Sequence, residues 1–209
     1  MTARAADDRG QAFPIYIVVV AGLLFAAFAF FVVGMAGATR SNAQGAADAA
    51  ALAAAREARD NVFLGLDLLD LKPADWEKIA NGDLLDERGA CGKAVEFAAL
   101  NDATAECKPA IPEFTVRVTT KDTVGISVVP GTGDISGKAT AKALIEPRCS
   151  LRSAPIPAPT PTPAPSPTLS PGERSVTFVC RGKTLTLDPA KPGPLSQLAR
   201  ALFNVRLVD

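Results

Sequence analysis

The residues able to do chemistry in this 209-residue chain are few: there is no histidine, and there are four cysteines, Cys91, Cys107, Cys149 and Cys180. Without histidine the commonest general base, the usual metal ligand, and the Ser/His/Asp and Cys/His nucleophile arrangements are all missing. The cysteines form no Cys-x-x-Cys pair, so a zinc site would have to be gathered from four distant thiolates. An even number of cysteines, all lying beyond a long apolar N-terminal stretch, fits disulfides in an oxidising compartment. Glu96, Glu113, Asp134 and Glu146 are scattered, with no spacing that pairs two carboxylates for acid/base work. Gly131 and Gly133 lie in PGTGD, which lacks the Gly-Lys-Ser/Thr ending of a phosphate loop and reads as a turn. We therefore expect no catalytic residue, no metal ligand and no cofactor.

Composition points the same way. Lys and Arg together number 22 and so do Asp and Glu, which leaves no basic field to attract nucleic acid. No small-molecule substrate is evident.

The element on which the rest depends is FPIYIVVVAGLLFAAFAFFVVGMAGA, residues 13–38, 26 residues without a charge. As a helix it is about 39 Å long, more than the ~30 Å hydrocarbon core of a bilayer. An isolated strand in lipid would leave its backbone amides unpaired, so the β-forming Ile, Val and Phe side chains do not prevent helix there. Residues 1–12 read as a short cytoplasmic leader. Arg4 and Arg9 favour an N-terminus kept inside, Arg40, Arg56 and Arg59 weaken that vote, and the cysteines and proline tract favour an exported C-terminal part. The expected location is a single-pass cytoplasmic (inner) membrane protein with its C-terminal domain extracytoplasmic.

Two processing sites are conceivable. Ala36-Gly37-Ala38 carries the small residues that signal peptidase prefers, with cleavage between Ala38 and Thr39, although the apolar run is much longer than a signal-peptide core. The other is cleavage between Gly10 and Gln11, as a prepilin peptidase would make. There Ile15 stands where a prepilin carries an acidic residue.

Residues 39–60 contain ten alanines in 22 residues and should prolong the helix, with Gly45 its weak point. Ala46, Ala50, Ala53 and Ala54 leave so little bulk that another backbone could approach closely.

On these residues the chain resembles a known family. DRGQAFPIYIVVVAGLLFAAFAFF followed by SNAQGAADAAALAAAREA resembles the N-terminal region of TadE/TadG-like, particularly TadG-like, proteins of the Tad/Flp pilus assembly system. The match to their "QNAADAAALAAA" type of segment runs from Asn42 to Ala55, and the resemblance covers residues 8 to 60. FAALNDATAEC also resembles the "A-x-x-N-G-A" segment of TadE-like domains, with Asp102 where glycine is usual. The resemblance implies a non-enzymatic, membrane-anchored assembly component similar to a minor pseudopilin. Its partners would be the membrane and other pilus-assembly or pilin-like proteins. The alternative is a secreted or anchored binding domain whose N-terminus serves only for export.

Residues 61–209 are expected to form the extracytoplasmic domain. Val62, Leu64, Leu66, Leu68, Leu69 and Leu71 make an apolar connector. PADWEKIANGD, from Pro73, has a helix start and an Asn81-Gly82 stop, with Trp76 and Ile79 facing the core. KAVEFAALN, residues 93–101, is a second helix, with Val95, Ala98 and Ala99 on one face and Phe97 and Leu100 at its edge. Cys91 and Cys107 flank it within reach of each other. FTVRVTT, VGISVV and GKATAKALI predict a three-stranded antiparallel meander. A Pro-rich loop, residues 154–172, would be polyproline II, and a Cys149–Cys180 bond would tie it at its base before the hairpin VTFVC-RG-KTLTL. The other pairings stay open. The tail is either one amphipathic helix carrying Leu195, Leu198, Leu202 and Val205, or a helix ending near Phe203 followed by a strand NVRLV. The fold class expected is α+β: a long N-terminal transmembrane helix, its Ala-rich continuation, then a small disulfide-bonded domain with short helices and an antiparallel sheet.

Overall fold

The computed structural model describes residues 12–123, 134–152 and 175–209. The leader residues 1–11 with Gly10 and Gln11, the expected strand 124–129 and turn 130–133, and the Pro-rich loop 154–172 lie outside the described residues.

One helix, α1, runs without a break from Ala12 to Asp60, 49 residues, and passes straight through Gly45. Alanine's propensity and the packing described below outweigh one glycine, which lowers helix stability by about 1 kcal/mol. Two short helices follow, α2 (Pro73–Asn81) and α3 (Ala90–Leu100). Strands β1 (Ala103–Ala110), β2 (Glu113–Thr123) and β3 (Ser136–Pro147) come next, then β4 (Cys149–Leu151), β5 (Val176–Cys180) and β6 (Lys183–Leu187). Helix α4 (Leu195–Leu202) and strand β7 (Phe203–Val208) close the chain.

The strands form two antiparallel sheets, one ordered β1-β2-β3-β7 and one ordered β4-β5-β6. In β2 the residues Phe114, Val116 and Val118 are buried, and in β3 so are Ala141, Ala143 and Ile145. Thr115, Arg117 and Lys142, which alternate with them, are not. This is the period-two pattern of a sheet covered on one face. The cover is the upper half of α1, with α3 beside it. Helix α3 runs antiparallel to α1: Gly89 at its start lies beside Glu57 and Asn61, and Leu100 at its end borders Ala38–Ala46. Asn61 Nδ2 donates to the Arg88 carbonyl at 3.3 Å and fixes the upper end of this pair.

Helix α2 buries Trp76 and Ile79 as expected and ends at Gly82. Trp76 meets Phe178 of β5 edge-on, ring centroids 6.1 Å apart at 70°, which seats the small sheet on the rest of the core. The disulfides are Cys91–Cys107 and Cys149–Cys180, and no described cysteine is free.

Several expectations need correction. The buried face of α3 is Ala90, Ala94 and Ala98, while Val95, Ala99, Phe97 and Leu100 face outward. The reason is that α3 lies against a wall of alanines, where a small side chain permits the close approach that valine would prevent. Cys91 is in the first turn of α3 and does not precede it. The segment after Asp102, where the residue pattern predicts no strand, is strand β1, the edge of the main sheet. The described meander is therefore β1-β2-β3, and a second sheet exists beside it. Asp102 takes the left-handed turn, φ 50°, that glycine would adopt more easily. In the connector Leu64 and Leu69 are exposed, and Phe63 shares the core with Val62 and Leu68. Of the two tail readings the structure takes the second, with α4 ending at Leu202 and Val205 in β7.

Candidate functional site

Helix α1 changes character part-way along. From Phe13 to Val33 none of its apolar side chains is buried by the described residues, and most are exposed, Phe13 at 71% and Phe30 at 80%. This stretch is apolar on every face, has a mean hydropathy of 2.8 over its most apolar window, and is long and apolar enough to cross a membrane. Burial begins at Ala43 and continues through Ala46, Ala47, Ala50, Ala51, Ala54, Ala55 and Ala58. Ala53 is also buried, at 6%. Spacings of three and four place these residues on the adjoining helix faces that meet the sheet and α3. A wall of methyl groups lets backbones approach in a way bulkier residues would block.

The tightest point lies where the two halves join. A Cβ built on Gly137 of β3 would sit 2.7 Å from the Thr39 carbonyl oxygen and 3.0 Å from Ala43 Cβ. Gly137 is held there by its own N–H, which donates to Thr120 Oγ1 at 2.8 Å, while that hydroxyl donates to the Asp122 carbonyl at 2.7 Å. Thr120 is the buried polar residue of the described core. Ala38 and Thr39, the residues flanking one conceivable cleavage point, are thus helical, with Ala38 exposed and Thr39 on the sheet. A groove of about 640 Å³ borders this junction, between Thr39–Ala46 of α1, the Asn101–Asp102 turn and the end of β2. Sequence reasoning missed Gly137 and Thr120; the small residues opening GKATAK were the available signal for a close approach.

Of the four carboxylates considered for chemistry, Asp134 is exposed and the other three are taken up in surface pairs. Glu96 meets Lys93 at 2.7 Å, Glu113 meets Lys142 at 3.5 Å and Glu146 meets Arg206 at 2.6 Å. The Arg206 hydrogen bond holds the Glu146 carboxyl below its ordinary value, and the Glu96 hydrogen bond raises Lys93. Asp86 is likewise lowered by its hydrogen bond from Arg88. Among the described residues no group of three or more His, Cys, Asp or Glu side chains is placed to hold a metal ion.

The fold and this junction define a class: a single N-terminal helix, half bare and apolar, half built into a small disulfide-bonded α+β domain. Residues 10–57 match the family described as putative Flp pilus-assembly TadE/G-like. The matched stretch takes in both halves of α1 and stops within its last turn. No curated protein and no solved structure matches the chain.

Proposed function

We propose that the chain is a non-enzymatic, membrane-anchored component of Tad/Flp-type pilus assembly, similar to a minor pseudopilin. The observation that carries the reading is the division of α1, bare and apolar from Phe13 to Val33 and walled by alanine from Ala43 on, on the segment that matches the TadE/G-like family. The bare half is suited to lipid or to the helices of pilin-like partners, since every face is apolar. The domain would stand outside the cytoplasmic membrane, where its two disulfides are stable, with the leader in the cytoplasm. In that role the helix holds the subunit in place and the outer domain makes protein contacts. The absence of histidine accords with a role that needs no catalysis.

A second reading keeps the domain as an extracellular binding module exported by this N-terminus. It is favoured by the fact that the family match ends at residue 57, before the domain strands begin. Intact mass and N-terminal sequencing of the protein recovered from the membrane fraction separate the two. A chain retaining Phe13–Ala38 is the expected result, whether it starts at Met1 or at Gln11 after prepilin-type processing. A start at Thr39 would overturn the anchored reading and leave the exported module.

A further inference from the structure

The hairpin of the small sheet turns through two residues, Arg181 and Gly182, both left-handed, with φ of 46° and 84°. Two-residue hairpins of this kind favour Asn, Asp or Gly at both positions, because a side chain crowds the backbone when φ is positive. Arginine at the first position is therefore held against its local preference. Strained positions of this sort tend to persist where the side chain has a task.

The surroundings indicate what the task is. Arg181 lines a cavity of about 400 Å³ together with Arg148, Lys183 and Thr184. Among the described residues, three cations and no carboxylate border it. Among the described residues none of the three makes a side-chain hydrogen bond or ion pair. Glu146 feels the charge of Arg181, but that carboxylate is engaged by Arg206 at 2.6 Å. The cluster thus keeps a local excess of positive charge on a chain whose formal net charge is zero. Uncompensated cations held together repel one another and gain most from a shared anion.

The backbone also fixes the cluster. Arg148 directly precedes Cys149 and Arg181 directly follows Cys180, and those cysteines are paired both in the sheet register and by the disulfide. The Arg148 N–H donates to the Leu202 carbonyl at 2.8 Å, which anchors the same corner to α4. The two guanidinium groups are therefore carried on one cross-linked pair of strand ends. The site lies toward the Asp60 end of α1, since α4 is tied there by Arg200 Nη2 to Asp60 Oδ2 at 3.1 Å. Gly137 at the start of β3 meets Thr39, whereas Arg148 follows the other end of that strand, so the site is remote from the bare half of the helix and a headgroup of the membrane holding that half is not its ligand.

We propose that Arg148, Arg181 and Lys183 form an anion-binding site for phosphate groups, presented either free or along a phosphodiester polymer of the cell envelope. Arginine forks match phosphate oxygens in pairs, and Lys183 adds a point charge. The site does not depend on the pilus-assembly reading.

The test is calorimetric titration of the full chain in a non-ionic detergent with inorganic pyrophosphate, and separately with poly(glycerol phosphate). Saturable binding is expected, weakened about tenfold or more by Arg181→Asn and by Arg148→Gln, since each removes a charge-assisted contact. Arg181→Asn should at the same time keep or raise the melting temperature, because asparagine suits the turn. That combination separates lost binding from lost folding. Tighter binding of the polymer assigns the site to an envelope polymer, and binding of pyrophosphate alone assigns it to free phosphates. Absence of saturable binding, or binding unchanged in both variants, overturns the proposal.

Discussion

Gly137 and Thr39 lie so close that a methyl group on the first would stand 2.7 Å from the carbonyl oxygen of the second. The contact couples the start of β3 to α1 at the point where the helix leaves the domain. Its nearest atom belongs to the backbone, so no change of side chain at Thr39 can relieve it. Gly137→Ala is expected to lower stability by about 1–3 kcal/mol through overpacking. Thr39→Ala added to it should not rescue the loss. Thermal melting of the detergent-solubilised chain, followed by circular dichroism, checks both; a wild-type melting temperature for Gly137→Ala would sink the idea that this contact is tight.

The alanine wall makes a similar demand over a wider area. Ala50→Leu and Ala54→Leu place new side chains where none has room, both positions being 0% exposed. Each should destabilise the domain by about 1–3 kcal/mol. Arg56→Leu on the exposed face of the same helix should change stability by less than about 0.5 kcal/mol. Equal effects at all three positions in urea unfolding would mean that the wall does not set the packing.

The disulfides close loops of sequence separation 16 and 31. Loop-closure entropy gives them about 3 and about 4 kcal/mol respectively, so Cys91→Ser/Cys107→Ser should be the milder pair of variants. Denaturant midpoints of the two double variants, compared with the unreduced chain, measure the order. A larger loss from the shorter loop would show that native-state geometry, and not chain entropy, governs the difference.

Acid should loosen the surface pairs in a definite direction. Glu146 is held below its ordinary value by the hydrogen bond from Arg206, and Asp86 by that from Arg88. A carboxyl lowered on folding adds stability above its unfolded value and loses it as pH falls through the folded one. Stability should therefore decline as pH drops from about 5 toward about 3, and Glu146→Gln should remove part of that slope. Urea unfolding at a series of pH values gives the slope; an unchanged slope in the Glu146→Gln chain would show that the Arg206 pair does not contribute to it.

The parts of the fold that could be read from residues alone are those where one element dictates its own shape. The apolar run and the ten alanines after it admit little but helix, and Asn81-Gly82 ends α2. The hairpin at Arg181-Gly182 followed from its alternation on both sides. Strand β1 did not announce itself, because ATAECKPA has none of the usual β-formers except Thr104. It is a strand because β2 supplies a partner, and Pro109 is tolerated because β1 lies at the sheet edge. The outward turn of Val95 and Leu100 was illegible for a related reason: in α3 the face that matters is chosen by the neighbouring helix, and that neighbour accepts alanine. Gly137 and the Arg148–Arg181–Lys183 cluster depend on distant segments meeting, which no local pattern records.

The unbroken course of α1 leaves the domain no swivel. Bare half and walled half share one screw, so the azimuth of the sheet, the disulfides and the basic cluster is set by residue count. One residue inserted between Val33 and Ala38 would turn the whole domain by about 100° around the helix axis and lift it by about 1.5 Å. The helix therefore fixes not only where the domain stands but which way it looks.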